Sequence, residues 1–253
     1  MTSVIILGTG NVATHLISAF SKAKNVELKQ VYGRKRSSLK QIDENINSTT
    51  NLNDLEDAEV YIIAISDDVI SAFSSQLQLK NKLVVHTSGS VPLQSLQNIG
   101  NKGVFYPLQT FSKKHKVNFS EIPICIEAGN KNDLYLLEKL ASSISNKVYP
   151  IDSEQRKYLH VSAVFTNNFV NHLYKIGNDI CNQKKIPFKI LHPLILESAK
   201  KITTNNPVKI QTGPAYRNDQ KTILNHLKLL SDDEKKIYKL LTKSIQNTHG
   251  KKL

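Results

Sequence analysis

Apolar positions in this chain follow two rhythms. Up to residue 150 they come in short unbroken blocks, Val4 to Leu7, Val60 to Ile65 and Leu83 to Val85, each bounded by polar residues or glycine. Such blocks predict strands buried on both faces. The segments Val26 to Tyr32, Val104 to Phe111, Ile122 to Glu127 and Lys147 to Tyr149 read as further strands or strand-loop pieces. Between them, Ala13, Leu16, Ile17 and Phe20 recur at helical spacing, a helix is expected from about Asn132 to Ile144, and Ser66-Asp67-Asp68 is expected to cap another near Val69. Strands alternating with helices predict an α/β domain with a mostly parallel sheet.

Beyond Pro150 the spacing becomes helical throughout. Asp152-Ser153-Glu154-Gln155 has the Asp-x-x-Gln form of a helix start, and the periodicity continues to about Lys184, which predicts one long helix. Phe188 to Ile202 is a second helix. A loop rich in turn formers, Asn205 to Asp219, leads to two more, Asp219 to Leu230 and Ser231 to about Gln246, the last opening with the capping box Ser231-Asp232-Asp233-Glu234. The expected organisation is residues 1–150 as one domain and 151–253 as a smaller all-helical one, with a disordered tail after about Gln246. A length of 253 residues suits two units.

Composition narrows the class. With 40% apolar and 22% charged residues the chain reads as globular. Cys125 and Cys181 lie far apart and form no C-x-x-C pair, so neither a disulfide framework nor a metal site is expected, and the compartment reads as reducing and cytoplasmic. SVIILG lacks a basic leader and cleavage site and reads as a strand, and no stretch approaches the roughly 20 apolar residues of a membrane span. The net charge of +13 favours anionic ligands in general, although lysines spread along helices are also what a biased genome composition produces. No basic patch interleaved with aromatics is present, so a nucleic-acid partner is not expected.

Candidate chemistry begins at Gly8-Thr9-Gly10-Asn11-Val12-Ala13, between the first strand and first helix. In this G-x-G-x-x-A arrangement the first glycine permits the sharp turn, the second lets backbone approach a pyrophosphate, and the small Ala13 lets helix and strand pack closely. The helix N-terminus then faces the anion. The second strand ends at Gly33-Arg34-Lys35-Arg36-Ser37-Ser38, where a NAD-preferring site usually places a carboxylate, and none occurs between Glu27 and Asp43. Guanidinium, ammonium and hydroxyl donors there suit the 2′-phosphate of NADP, unless the turn is simply a solvated surface.

Open α/β sheets bind ligands beyond the carboxyl ends of their strands, so Ser66, His86 and Ser88 are expected to rim one crevice. The loop His86-Thr87-Ser88-Gly89-Ser90 either holds a polar substrate or the nicotinamide ribose, or is a turn with capping hydroxyls. On the predicted long helix, His160, Val164, Asn167, Asn168 and Asn171 form a stripe at α-helical spacing, while Leu159, Phe165, Phe169 and Leu173 can pack elsewhere. The amides of that stripe either bond neighbouring helices or line a wet cleft. Arg217 can clamp a carboxylate or phosphate, or make an ordinary turn contact with Asp219.

Taken together, GTGNVATHL, GRKRSS, HTSGS, YPLQTFS, HVSAVFTNNFVNHL and TGPAYRND resemble a Rossmann-like family related to pyrroline-carboxylate reductase and the β-hydroxyacid dehydrogenases, with a C-terminal helical domain of unassigned function. The resemblance covers nearly the whole chain. It implies an NADP oxidoreductase, in some members by analogy with deazaflavin-dependent enzymes, and a homodimer built on the helical domain. In β-hydroxyacid dehydrogenases the corresponding helix presents Lys-x-x-Asn-Asn, the lysine donating a proton and an asparagine positioning substrate. This chain keeps Asn167 and Asn168 but has Val164 at the lysine's place. His160, one turn earlier, is then the expected proton donor, with Lys157 second.

The resulting expectation is hydride transfer between NADP(H) and a small carbonyl, hydroxyacid or imine substrate. Gly8, Thr9, Gly10, Asn11, Val12, Arg34, Lys35, Arg36 and Ser66 bind the cofactor. His160, Asn168 and Ser88 serve the chemistry, and Ser88, Gly89, Asn167 and Arg217 bind the substrate. The alternative is a non-catalytic sensor of NADP(H), suggested by the missing lysine.

Overall fold

The computed structural model describes residues 1–249 and divides into two compact units, Met1–Val164 and the chain from Phe165 onward. The first unit runs β1 (Thr2–Leu7), α1 (Asn11–Phe20), β2 (Val26–Tyr32), α2 (Arg36–Leu39), β3 (Asn47–Thr49), β4 (Val60–Ile63), α3 (Ile70–Ser74), β5 (Leu83–His86), β6 (Asn101–Pro107), β7 (Ile124–Ala128), α4 (Lys131–Ser142), β8 (Val148–Pro150) and α5 (Ser153–Ala163). The strands form one sheet in the order β3-β2-β1-β4-β5-β6-β7-β8. All neighbours are parallel except β6 and β7.

The apolar blocks become the sheet's centre because they are covered on both sides. Val4 and Ile6 of β1 with Val60 and Ile62 of β4 face one way and pack with Leu16, Phe20, Leu137 and Leu140 of α1 and α4. Ile5, Leu7, Tyr61 and Ile63 face the other way and pack with Ile70, Leu77 and Leu96. Removing any of these from water is worth about 1.5 to 3 kcal/mol per large side chain. The sheet order reverses at β1, flanked by β2 and β4, and this opens a crevice at the carboxyl ends of those strands.

Several details differ from the sequence pattern. The edge strand β3 consists of Asn, Ser and Thr and carries no hydrophobic signature; its pairing with Gln30, Val31 and Tyr32 makes it a strand. Ser66 makes no side-chain cap: a short 3₁₀ turn, Asp67–Val69, precedes α3, and the Asp67 carboxylate is drawn to the loop after β5 instead.

From Val164 to Phe169 the backbone is a π-helical turn, followed by α6 (Val170–Gln183). The expected single helix is thus interrupted. A π turn adds a residue per turn, so the α-helical spacing that gathered His160 and the asparagines into one stripe does not carry through it. The second unit continues with α7 (His192–Thr204), preceded by a 3₁₀ turn, Phe188–Leu191, then α8 (Gln220–Leu227) and α9 (Asp232–His249). Phe165, Phe169 and Leu173, expected to pack, are 63%, 50% and 38% exposed. The last helix runs past Gln246 to His249, and the rest of the expected tail lies outside the described residues. Among the described residues, no helix is long and apolar enough to cross a membrane.

Candidate functional site

A cleft of about 710 Å³ opens at the sheet's reversal point. Its wall holds Gly8, Thr9, Gly10, Asn11 and Val12 from the β1–α1 turn, Tyr32 and Arg34 from the end of β2, Ala64, Ile65 and Ser66 after β4, and Thr87 after β5. Gly8 sits at φ +139°, and a Cβ there would lie 2.2 Å from the Ala64 carbonyl oxygen. Only glycine closes this turn. No side chain caps the N-terminus of α1 and its first turn holds no acidic residue, so its free N–H groups and the positive end of the helix dipole are left for an anion.

Seven of the expected cofactor residues therefore share this wall: Gly8, Thr9, Gly10, Asn11, Val12, Arg34 and Ser66. Lys35 and Arg36 do not line it. Both are exposed, Lys35 preceding α2 and Arg36 opening it. The pattern also missed the apolar side of the cleft, where Val69, Ala72 and Phe73 contribute and Phe73 packs against Tyr32 at 5.7 Å between ring centroids. A usable signal was present in Tyr32, a ring at the carboxyl end of a strand.

The loop after β5 is arranged differently from expectation. His86 is fully buried, and its Nδ1 accepts the Ser88 N–H. Burial, with the Arg156 guanidinium adding to it, pushes its pKa down to about 4, so the ring is neutral near pH 7 and off the cleft wall. Ser88 is also buried. Its hydroxyl donates to Asp67 at 2.7 Å and accepts the N–H groups of Ser90 and Val91, so its bonding capacity is used within the loop. Of the three residues expected to rim the crevice, Ser66 does and His86 and Ser88 do not; Thr87 takes their place. The cause is inward packing of the loop on Asp67.

Gly89 leads directly to His160. A Cβ on Gly89 would lie 2.5 Å from His160 Nδ1 and 2.6 Å from Tyr106 Cζ. His160, on α5, is half-buried, and its Nδ1 is 3.1 Å from Tyr106 Oη. Three residues thus meet here: the expected proton donor, the expected loop glycine, and a tyrosine to which the sequence reading gave no role. Tyr106 lies at the carboxyl end of β6, which is parallel to β5, so its position on the ligand edge of the sheet was the available signal.

Asn167, Asn168 and Arg217 belong to the second unit, where the asparagines lie in the π turn and Arg217 in the loop before α8. The turn contact of Arg217 with Asp219 is a minor one: Asp219 caps α8 through Thr222, and its pKa is lowered chiefly by that hydrogen bond, with Arg217 a lesser cause. Among the described residues no group of three His, Cys, Asp or Glu could hold a metal.

Residues 3–89 match the family described as NADP oxidoreductase, coenzyme F420-dependent, and residues 122–245 match a domain of unknown function, DUF2520. A comparison with curated proteins finds no match. Among solved structures, a "putative NADP oxidoreductase" from Bacteroides fragilis is 39% identical, with 97% of this chain and 98% of that one covered at a TM-score of 0.88. An imine reductase from Myxococcus stipitatus in complex with NADP+ is 13% identical (98% and 96% covered, TM-score 0.66). A 1-pyrroline-5-carboxylate reductase from Streptococcus pyogenes is 17% identical (98% and 98%, TM-score 0.63). The last two share the fold.

Proposed function

The chain belongs to the NADP oxidoreductase family that includes the Bacteroides fragilis protein and joins an F420-type NADP oxidoreductase region to DUF2520, and from that premise we propose that it transfers hydride between NADP(H) and a small carbonyl, hydroxyacid or imine compound. The observation that carries this reading is the cleft in which an uncapped helix N-terminus, the Gly8 turn and Arg34 face one space. These residues fit a dinucleotide. The α1 amides hold the pyrophosphate, Arg34 pairs with the 2′-phosphate with Lys35 and Arg36 adding positive potential, and Val69, Ala72 and Phe73 offer an apolar face to the base. The bound nicotinamide supplies the hydride.

His160 is the proton donor of this scheme, presented beside Gly89 by α5. Ser88 serves by fixing the loop through Asp67. The apolar residues left exposed on the second unit, among them Leu194, Leu196, Leu224, Leu240 and the T-shaped pair Phe165–Phe169, support a homodimer in which a second copy covers them. Sedimentation equilibrium tests that part, and a monomer at all accessible concentrations overturns it.

Calorimetric titration with NADPH and NADH tests the cofactor assignment. Wild type should prefer NADPH, and Arg34→Ala should lose about 10- to 100-fold in NADPH affinity while changing NADH affinity little, the size of one charge-assisted contact. No binding of either nucleotide overturns the proposal. Binding without NADPH oxidation across carbonyl and imine panels leaves a sensor of NADP(H).

A further inference from the structure

The hydrogen bond between Tyr106 and His160 can hold its proton in two ways. Either the phenol donates to Nδ1, or an Nδ1–H donates to the phenol oxygen. Tyr106 is 9% exposed, and among the described residues its oxygen has no hydrogen-bond partner but His160. In the second arrangement the buried phenol proton would lack an acceptor, a loss of about 1 to 3 kcal/mol. In the first, phenol and Nδ1 satisfy each other and the ring proton resides on Nε2. Burial, with Cys125 contributing, raises the Tyr106 pKa to about 12, which keeps the phenol a proton donor.

Gly89 closes the pair from a third side. Its backbone lies so near that any side chain would strike both His160 Nδ1 and the Tyr106 ring, which leaves little room for another group to compete for Nδ1. His160 Nε2 has no protein partner in any hydrogen bond within the first unit, and the residue is only half-buried. We infer that Tyr106 is a positioning residue that fixes the neutral form of His160 as the Nε2–H tautomer, so that a single N–H is offered to the oxygen or nitrogen of the hydride-accepting group and, as that proton is given up, the phenol proton moves to Nδ1 and no imidazolate forms. The inference builds on the oxidoreductase reading, in which His160 serves the substrate. It explains why Gly89 must be glycine and assigns a role to a residue outside the cofactor cleft.

The test is long-range ¹H–¹⁵N correlation NMR on ¹⁵N-histidine-labelled full-length protein at pH 9, with His160→Gln identifying the His160 signals. The expected result is the Nε2–H tautomer in wild type and a shift toward mixed tautomers in Tyr106→Phe. An Nδ1–H tautomer in wild type overturns the inference, as do unchanged populations in Tyr106→Phe. Should Tyr106→Phe not fold, the wild-type spectrum alone decides. The oxidoreductase reading fails separately, through absent nucleotide binding, and leaves the spectrum intact.

Discussion

Arg156, withdrawn from solvent to 1% exposure, forms an ion pair with Glu127 of β7. Its Nη2 also donates to the Val91 carbonyl at 2.7 Å, while Ser153 Oγ donates to Glu127 and accepts the Leu93 N–H. One guanidinium therefore joins α5, β7 and the segment following the Ser88–Ser90 loop. It stands one helical turn before His160, so the same anchor that fixes α5 on the sheet fixes the height of His160 beside Gly89. Truncating one member of a buried pair strands the other charge, so Arg156→Met should destabilise the protein by about 3 to 5 kcal/mol, and adding Glu127→Leu should recover part of it. Urea unfolding measures both; a loss below about 1 kcal/mol for Arg156→Met would show that the pair does not anchor α5.

How far the sequence revealed this arrangement depended on whether the signal was local. β1, β4 and β5 are short apolar blocks rich in β-branched residues, and the Gly8 turn is required by its own backbone, so both could be read directly. β3 could not, because its polar residues become a strand only by pairing with β2. The place of Ser88 is not legible locally because its hydroxyl is engaged by Asp67, 21 residues away. Tyr106 and His160 are 54 positions apart, and no spacing rule links them. The π turn at Val164–Phe169 likewise leaves no periodic mark, and a stripe drawn at regular helical spacing passes through it unnoticed.

The two motif glycines separate folding from binding. At Gly8 a Cβ meets the Ala64 carbonyl at 2.2 Å and the φ of +139° is unsuited to other residues, so Gly8→Ala should cost about 1 to 3 kcal/mol or more and abolish NADPH binding. At Gly10 the nearest atom to a Cβ is 4.0 Å away and φ is −74°, so Gly10→Ala should melt like wild type. Its NADPH affinity should nevertheless fall at least about tenfold if a pyrophosphate approaches that backbone. Undiminished affinity in Gly10→Ala would place the nucleotide elsewhere.

His86 makes stability depend on pH in a defined direction. Its folded pKa of about 4 lies below the unfolded value near 6.5, so the unfolded chain binds the extra proton as pH falls through that window. The contribution is complete above pH 6.5 and is lost toward pH 4, amounting to about 2 kcal/mol between pH 7 and pH 5. Denaturant unfolding at both values should show this slope in wild type and a flatter one in His86→Asn. Equal slopes in the two proteins would mean that His86 is not held neutral by burial.

Cys125 offers a direct report on the floor beneath His160. It is 2% exposed, is the cross-strand neighbour of Tyr106, and its thiol is pushed up to about 11 by burial. At pH 8 only about one Cys125 thiol in a thousand would be ionised even if reagent could reach it, whereas Cys181 on α6 is half-buried. A chromogenic disulfide reagent should therefore label one thiol quickly, lose that phase in Cys181→Ser, and reach Cys125 only through local opening of the sheet around Tyr106. Because Arg156 anchors α5 over this same region, Arg156→Met should speed Cys125 labelling well beyond any change at Cys181. Labelling of Cys125 at the same rate in both proteins would mean that β6 and β7 open independently of the ion pair, and that His160 owes its place to Tyr106 and Gly89 alone.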